Sequence, residues 1–152
     1  MAEISELYQR VVLEHNRAPR RFGALPAHTH AADGENARCG DRLRCELVLD
    51  GERIAALRFA GDACAIATAA ASMLGESVEG ATRAEFERLH ESFHAMLAPD
   101  GATTAPGELA ALAELRRFPA RVKCALLPFA TLAAALRDDD NATTEPDDET
   151  HE

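Results

Sequence analysis

The stretch Asn36-Ala37-Arg38-Cys39-Gly40-Asp41 sets a cysteine, a glycine and an aspartate together just ahead of a strand-like run. Two further cysteines, Cys64 and Cys124, stand far downstream, each at the expected start of a helix. The stretch is read as one side of a fold that brings Cys39, Asp41, Cys64 and Cys124 to a single point. Three thiolates and one carboxylate make a four-donor, tetrahedral set, and zinc accepts sulfur and oxygen in that geometry.

The run that follows alternates. Leu43, Cys45, Leu47 and Leu49 fall on one face, and Arg42, Arg44 and Glu46 on the other. This period of two predicts a half-buried strand over residues 42–49. Asp50-Gly51 is a hairpin signal with positive φ expected at both central residues, and a returning strand follows over residues 53–60. Cys45, on the apolar face, reads as a core cysteine. Gly61-Asp62-Ala63-Cys64 ends the strand, and residues 65–74, nearly all Ala, Ile, Met and Leu, predict a helix buried on most sides. Backbone N–H groups and the dipole at its start favour a Cys64 thiolate and lower its pKa. Pro128 is expected in the first turn of a last helix or at a kink in it, and the first-turn option puts Cys124 at that helix's entrance.

Elsewhere the chain is more ordinary. Residues 1–16 predict a helix with Ser5 as N-cap and Leu7, Tyr8, Val11 and Val12 as its apolar stripe. Pro19 follows it, and Arg17, Arg20 and Arg21 form a basic cluster, read as a solvated turn with a docking patch as the alternative. His28 and His30 form an H-x-H pair in an expected loop, where solvent exposure is commoner than metal binding. Thr82 and Glu85 spell a capping box. The helix after it carries His90-Glu91-Ser92-Phe93-His94, which fits H-E-x-x-H, but no third ligand supports a zinc-protease site. Residues 108–118 predict a short helix with Leu109, Leu112 and Leu115 three apart.

The chain has 152 residues, 47% of them hydrophobic, enough for one core. The net charge is −10, but residues 138–152 hold eight acids and no Lys or Arg, so residues 1–137 carry −2. The expected division is therefore a domain over 1–137 and a disordered acidic tail over 138–152. No basic face suggests nucleic acid. No run reaches the ~20 apolar residues of a membrane span, and no leader is expected, so a cytoplasmic protein with reduced thiols is the default.

Four blocks carry a family resemblance. They are Leu7-Tyr8-Gln9-Arg10-Val11-Val12-Leu13-Glu14-His15 with Pro19-Arg20-Arg21-Phe22-Gly23; Cys39-Gly40-Asp41; Cys64-Ala65-Ile66 with Ser72-Met73; and Phe118-Pro119-Ala120-Arg121-Val122-Lys123-Cys124-Ala125. In this order they resemble the NifU-like iron–sulfur assembly proteins, and most closely the zinc-binding SufU branch. Lys123 stands where IscU-type scaffolds carry a histidine, and the 60 residues from Cys64 to Cys124 leave room for the insertion typical of SufU. Ala63, Ala67 and Ala70 depart from the family's glycine and serines around the second cysteine.

The resemblance implies an α+β fold, a small antiparallel sheet with helices packed on one face. It implies a zinc-dependent sulfur carrier that takes persulfide sulfur from a PLP-dependent, SufS-like cysteine desulfurase and hands it to an iron–sulfur scaffold or apo-protein. Zinc would be held by Cys39, Asp41, Cys64 and Cys124. Cys39 is the expected persulfide acceptor, with Cys124 as second choice, and Arg121 and Lys123 are candidate stabilisers of the thiolates. The alternative is a scaffold on which an iron–sulfur cluster is assembled on the same four residues. A purely structural zinc site is the third reading.

Overall fold

A computed structural model describes residues 6–101 and 104–144. Helix α1 (Glu6–Arg17) leads into four strands and three more helices: β1 (His30–Asn36), β2 (Asp41–Asp50), β3 (Arg53–Asp62), α2 (Ala65–Val78), α3 (Arg83–Met96), α4 (Pro119–Leu136) and β4 (Asn141–Thr143). A 3₁₀ helix, Gly107–Arg117, lies between α3 and α4. The sheet order is β3-β2-β1-β4, with the first two pairings antiparallel and β4 parallel to β1. The α+β arrangement expected from the sequence is therefore present, with a mixed sheet in place of a wholly antiparallel one.

The period of two in β2 becomes its burial pattern. Asp41, Leu43, Cys45 and Leu47 point into the core. The opposite face carries cross-strand charge pairs: Glu35 beside Arg42, Asp33 beside Arg44, Arg42 beside Asp62 and Glu46 beside Arg58. Opposite charges across a ladder stabilise the register and leave this face wet. The hairpin loop is Gly51-Glu52, one residue later than Asp50-Gly51, and of these two only Gly51 has positive φ. That is the pattern of a type II′ turn, not the type I′ turn expected.

Helices cover the inner face. α4 packs on β1, β2 and β4, and α2 packs on β3, α4 and α1. Strand β1 is built from weak strand formers, which is why sequence periodicity passed over it. Its inward residues are Ala32, Gly34 and Asn36. A Cβ on Gly34 would collide with Thr131 Oγ1, so the glycine lets β1 lie directly against α4. The Thr82–Glu85 capping box forms as expected, with Thr82 Oγ1 accepting the Glu85 N–H at 3.1 Å and Glu85 Oε1 accepting the Thr82 N–H at 2.8 Å.

Four expectations need correction. In α1, Tyr8 and Val11 are buried but Leu7 is 51% exposed, and the third buried residue is His15. The Ser5 cap lies outside the described residues. The 109–115 leucines sit in a 3₁₀ helix, whose three-residue turn puts Leu109, Leu112 and Leu115 on one buried face. α4 begins at Pro119, nine residues before Pro128, so Pro128 lies inside the helix and Cys124 in its second turn. Finally, Asn141–Thr143 pairs with β1, so the first part of the expected acidic tail is ordered; residues 145–152 lie outside the described residues. Among the described residues α4 alone is long and apolar enough to cross a membrane, and it is the helix at the centre of this core.

Candidate metal centre

The turn between β1 and β2 holds the first two predicted donors. The Cys39 N–H donates to Asn36 O at 3.1 Å, and the Gly40 N–H to Ala37 O at 3.2 Å. Gly40 has φ +75°, a conformation glycine adopts freely. Cys39 is thus displayed, exposed, at the tip, while Asp41 returns to the inner face and is 1% exposed.

Asp41 and Cys64 are joined directly. Asp41 Oδ1 accepts the Cys64 N–H at 2.7 Å, and its Oδ2 lies 3.6 Å from Cys64 Sγ. Cys64 is the N-cap of α2, its sulfur accepting the Ala67 N–H at 3.4 Å. Cys124 reaches the same point from α4, with its sulfur 3.3 Å from Cys39 Sγ and 3.7 Å from Ala120 O. Ligand atoms of Cys39, Asp41 and Cys124 all lie within 4.8 Å of one another. The structure therefore gathers Cys39, Asp41 and Cys124 into one cluster, and Cys64 stands beside it through its contacts with Asp41.

The Cys39, Asp41 and Cys124 donors are near enough to share one ion. A Zn–S distance of ~2.3 Å gives S–S edges of about 3.7 Å in a tetrahedron, near the 3.3 Å between Cys124 and Cys39. The two buried thiols do not ionise easily by themselves. Burial pushes the Cys64 thiol up, and the Ala67 N–H offsets this only in part, so the helix start does not produce the lowered pKa expected. Burial, followed by the hydrogen bonds to Cys39 and Asp41, pushes Cys124 far up. A bound divalent cation supplies the positive charge that turns such thiols into thiolates.

Arg121 is exposed one turn before Cys124, its guanidinium 5.4 Å from the centre of the Phe118 ring. Lys123 is half-buried, and its carbonyl accepts the Thr144 hydroxyl at 2.9 Å. Cys45 is apart from the site, fully buried between Ala32 and Phe59 on the neighbouring strands.

The other histidine motifs do not gather ligands. His28 bonds the Leu25 carbonyl, and His90 stacks between Phe86 and Phe129. A second cluster, His15, Glu76 and Glu108, was not anticipated. Arg20 already supplies its cation, lying 3.2 Å from His15 Nδ1 and 3.7 Å from Glu76. The same arginine pairs with Glu14, and Arg21 pairs with Glu79, so two of the three arginines of the basic cluster are engaged within the molecule.

Residues 7–125 match the family described as NifU-like N terminal domain. The chain belongs to this NifU-like family. It is 32% identical over 133 residues to a protein of Bacillus subtilis (strain 168) named zinc-dependent sulfurtransferase SufU, covering 86% of this chain and 90% of that protein. It is 31% identical over 144 residues to a protein of Streptococcus pyogenes serotype M1 named iron–sulfur cluster assembly scaffold protein IscU, covering 93% and 90%. The NifU-like fold is equally clear in the crystal structure of a NifU-like N-terminal protein from Brucella abortus. It superposes with a TM-score of 0.78 at 24% identity, over 87% of this chain and 93% of that one. Membership of this iron–sulfur assembly family accounts for the fold and for the order of the four sequence blocks.

Proposed function

We propose that this NifU-like protein is a zinc-dependent sulfur carrier, taking persulfide sulfur from a PLP-dependent cysteine desulfurase for iron–sulfur cluster assembly. The observation that carries the reading is the unequal exposure of the four donors. Asp41 and Cys124 are buried and Cys64 is half-buried, whereas Cys39 is exposed on a glycine-containing turn. One donor can meet a partner while three stay in place. The likeness to the Bacillus subtilis sulfurtransferase and the lysine at position 123 support transfer over scaffolding.

Asp41, Cys64, Cys124 and Cys39 would hold the ion. Zinc, when bound, keeps sulfur donors deprotonated and does not change redox state. The Cys39 thiolate attacks the outer sulfur of the desulfurase persulfide. A new S–S bond forms on Cys39, the partner's S–S bond breaks, and the partner cysteine leaves as a thiolate. No outside oxidant or reductant is consumed. Arg121 and Lys123, three residues and one residue before Cys124, are the cations that would stabilise the thiolates during transfer. The persulfide sulfur then passes to an iron–sulfur scaffold or apo-protein.

The second reading, a scaffold for cluster assembly on the same donors, is supported by the likeness to the Streptococcus pyogenes protein. Metal content after oxygen-free purification, together with desulfurase turnover with and without the protein, separates the two. One zinc per chain and a rate increase abolished by Cys39→Ala is the expected result. Bound iron and sulfide with little rate increase would replace the carrier with the scaffold.

A further inference from the structure

Asn36 ends β1 on its inner face and is 1% exposed. Its carbonyl accepts the Cys39 N–H at 3.1 Å, and its side-chain Nδ2 points at Cys124 Sγ from 4.0 Å. It thus touches two of the four donors, through the backbone on one side and the side chain on the other. Its Oδ1 is buried with no hydrogen-bond partner, the only such side-chain atom among the described residues. A buried, unsatisfied amide oxygen destabilises the fold, and an apolar residue of similar shape would remove that cost. Folding alone does not call for an asparagine at this position.

We infer that Asn36 is a positioning residue of the metal centre, its side-chain amide donating a hydrogen bond to the Cys124 sulfur. The inference rests on the metal-binding reading above. A metal-bound cysteine sulfur has no proton to give, so only the N–H end of the amide can face it usefully. An N–H donor draws charge from the thiolate and orients the sulfur, as outer partners do for other ligands. The surroundings hold the amide in place. Gly34 lets β1 lie against α4, and β4 pairs with Asp33, Gly34 and Glu35 immediately before Asn36.

The full chain, loaded with cobalt(II) and separately with zinc, tests this in Asn36→Leu and Asn36→Asp. Leucine removes both the donor and the stranded oxygen, whereas aspartate keeps the shape and places only acceptors against the sulfur. In both variants the sulfur-to-cobalt charge-transfer band is expected to move to lower energy, and zinc is expected to pass to a competing chelator about tenfold faster. The metal-free Asn36→Leu protein is expected to melt no lower than the parent, which a purely structural asparagine would not allow. Unchanged bands and unchanged zinc release in both variants would overturn the inference while leaving the metal centre standing. So would loss of the metal-free fold in both, which would make Asn36 a folding residue. A parent protein with no thiolate–cobalt band at all would instead remove the metal reading on which the inference rests.

Discussion

Cys45 and Cys124 are both buried thiols, and what separates them is their surroundings. Cys45 meets only apolar neighbours, and burial pushes its thiol far up. Cys45→Ser should leave zinc stoichiometry unchanged and lower stability by about 1–3 kcal/mol, the cost of a buried hydroxyl without a partner. Zinc analysis and thermal melting check both halves. Cys64 and Cys124 are also pushed up, but they face Asp41 and each other's polar neighbours. Both are therefore protonated in the metal-free protein at neutral pH, and a metal must displace those protons. Zinc affinity should fall as pH is lowered from 8 to 6, by at least about two decades per pH unit from the protons of Cys64 and Cys124. Chelator competition across that range measures the slope, and a flat profile would contradict the picture. Asn36 lay within the stretch that first marked the site, yet its role was not legible, because an asparagine before a turn is an ordinary turn residue.

At the level of elements, β2, β3 and α3 were legible because alternation, turn residues and the Thr82–Glu85 box agree with one another. β1 and β4 were not. His30–Asn36 contains no large apolar residue, and Asn141–Thr143 lies in an acidic stretch, so neither has a pattern to read. Small residues are what the packing of β1 on α4 requires, so the feature that hides the strand also makes it fit. The residues that gather were legible as candidate donors, but the position of Cys124 within α4 was not, because Pro128 sits inside the helix and its missing N–H is tolerated. His15 shows a tie that only the structure reveals. It is fully buried, with Nδ1 2.6 Å from Ser72 Oγ and Nε2 2.7 Å from Glu108 Oε1. Arg20 also faces Nδ1, at 3.2 Å, so both ring nitrogens are engaged by polar partners. One imidazole thus fastens α1, α2 and the 3₁₀ helix. His15→Ala should cost about 2 kcal/mol, or roughly 4–8 °C of melting temperature, through the stranded Ser72 hydroxyl and the cavity. Zinc content should be unaffected, as none of the partners of His15 is a donor and Ser72 lies two turns along α2 from Cys64.

For the whole molecule, residues 140–144 of the expected tail are tied to the rest of the fold. Asp140 O accepts the Asp33 N–H at 2.8 Å, and β4 and the Thr144 hydroxyl tie the segment to β1 and to Lys123. Truncation after Arg137 should lower the melting temperature and speed zinc loss relative to truncation after Thr144. Equal behaviour of the two truncations would show that β4 contributes nothing. The distribution of the four donors along the chain has a polymer consequence. A cation bound to them is a cross-link that closes one loop of about 25 residues, to Cys64, and another of 60, to Cys124. Because closure entropy grows with the logarithm of length, the longer loop is worth about 0.8 kcal/mol more than the shorter. Cys39 and Asp41 enter through the same turn. If Cys39 leaves the ion, Asp41 still ties that segment, and both loops stay closed. If Cys124 leaves, the 60-residue loop opens and the C-terminal helix is untied. The exposed donor is therefore also the one whose release changes the topology of the chain least.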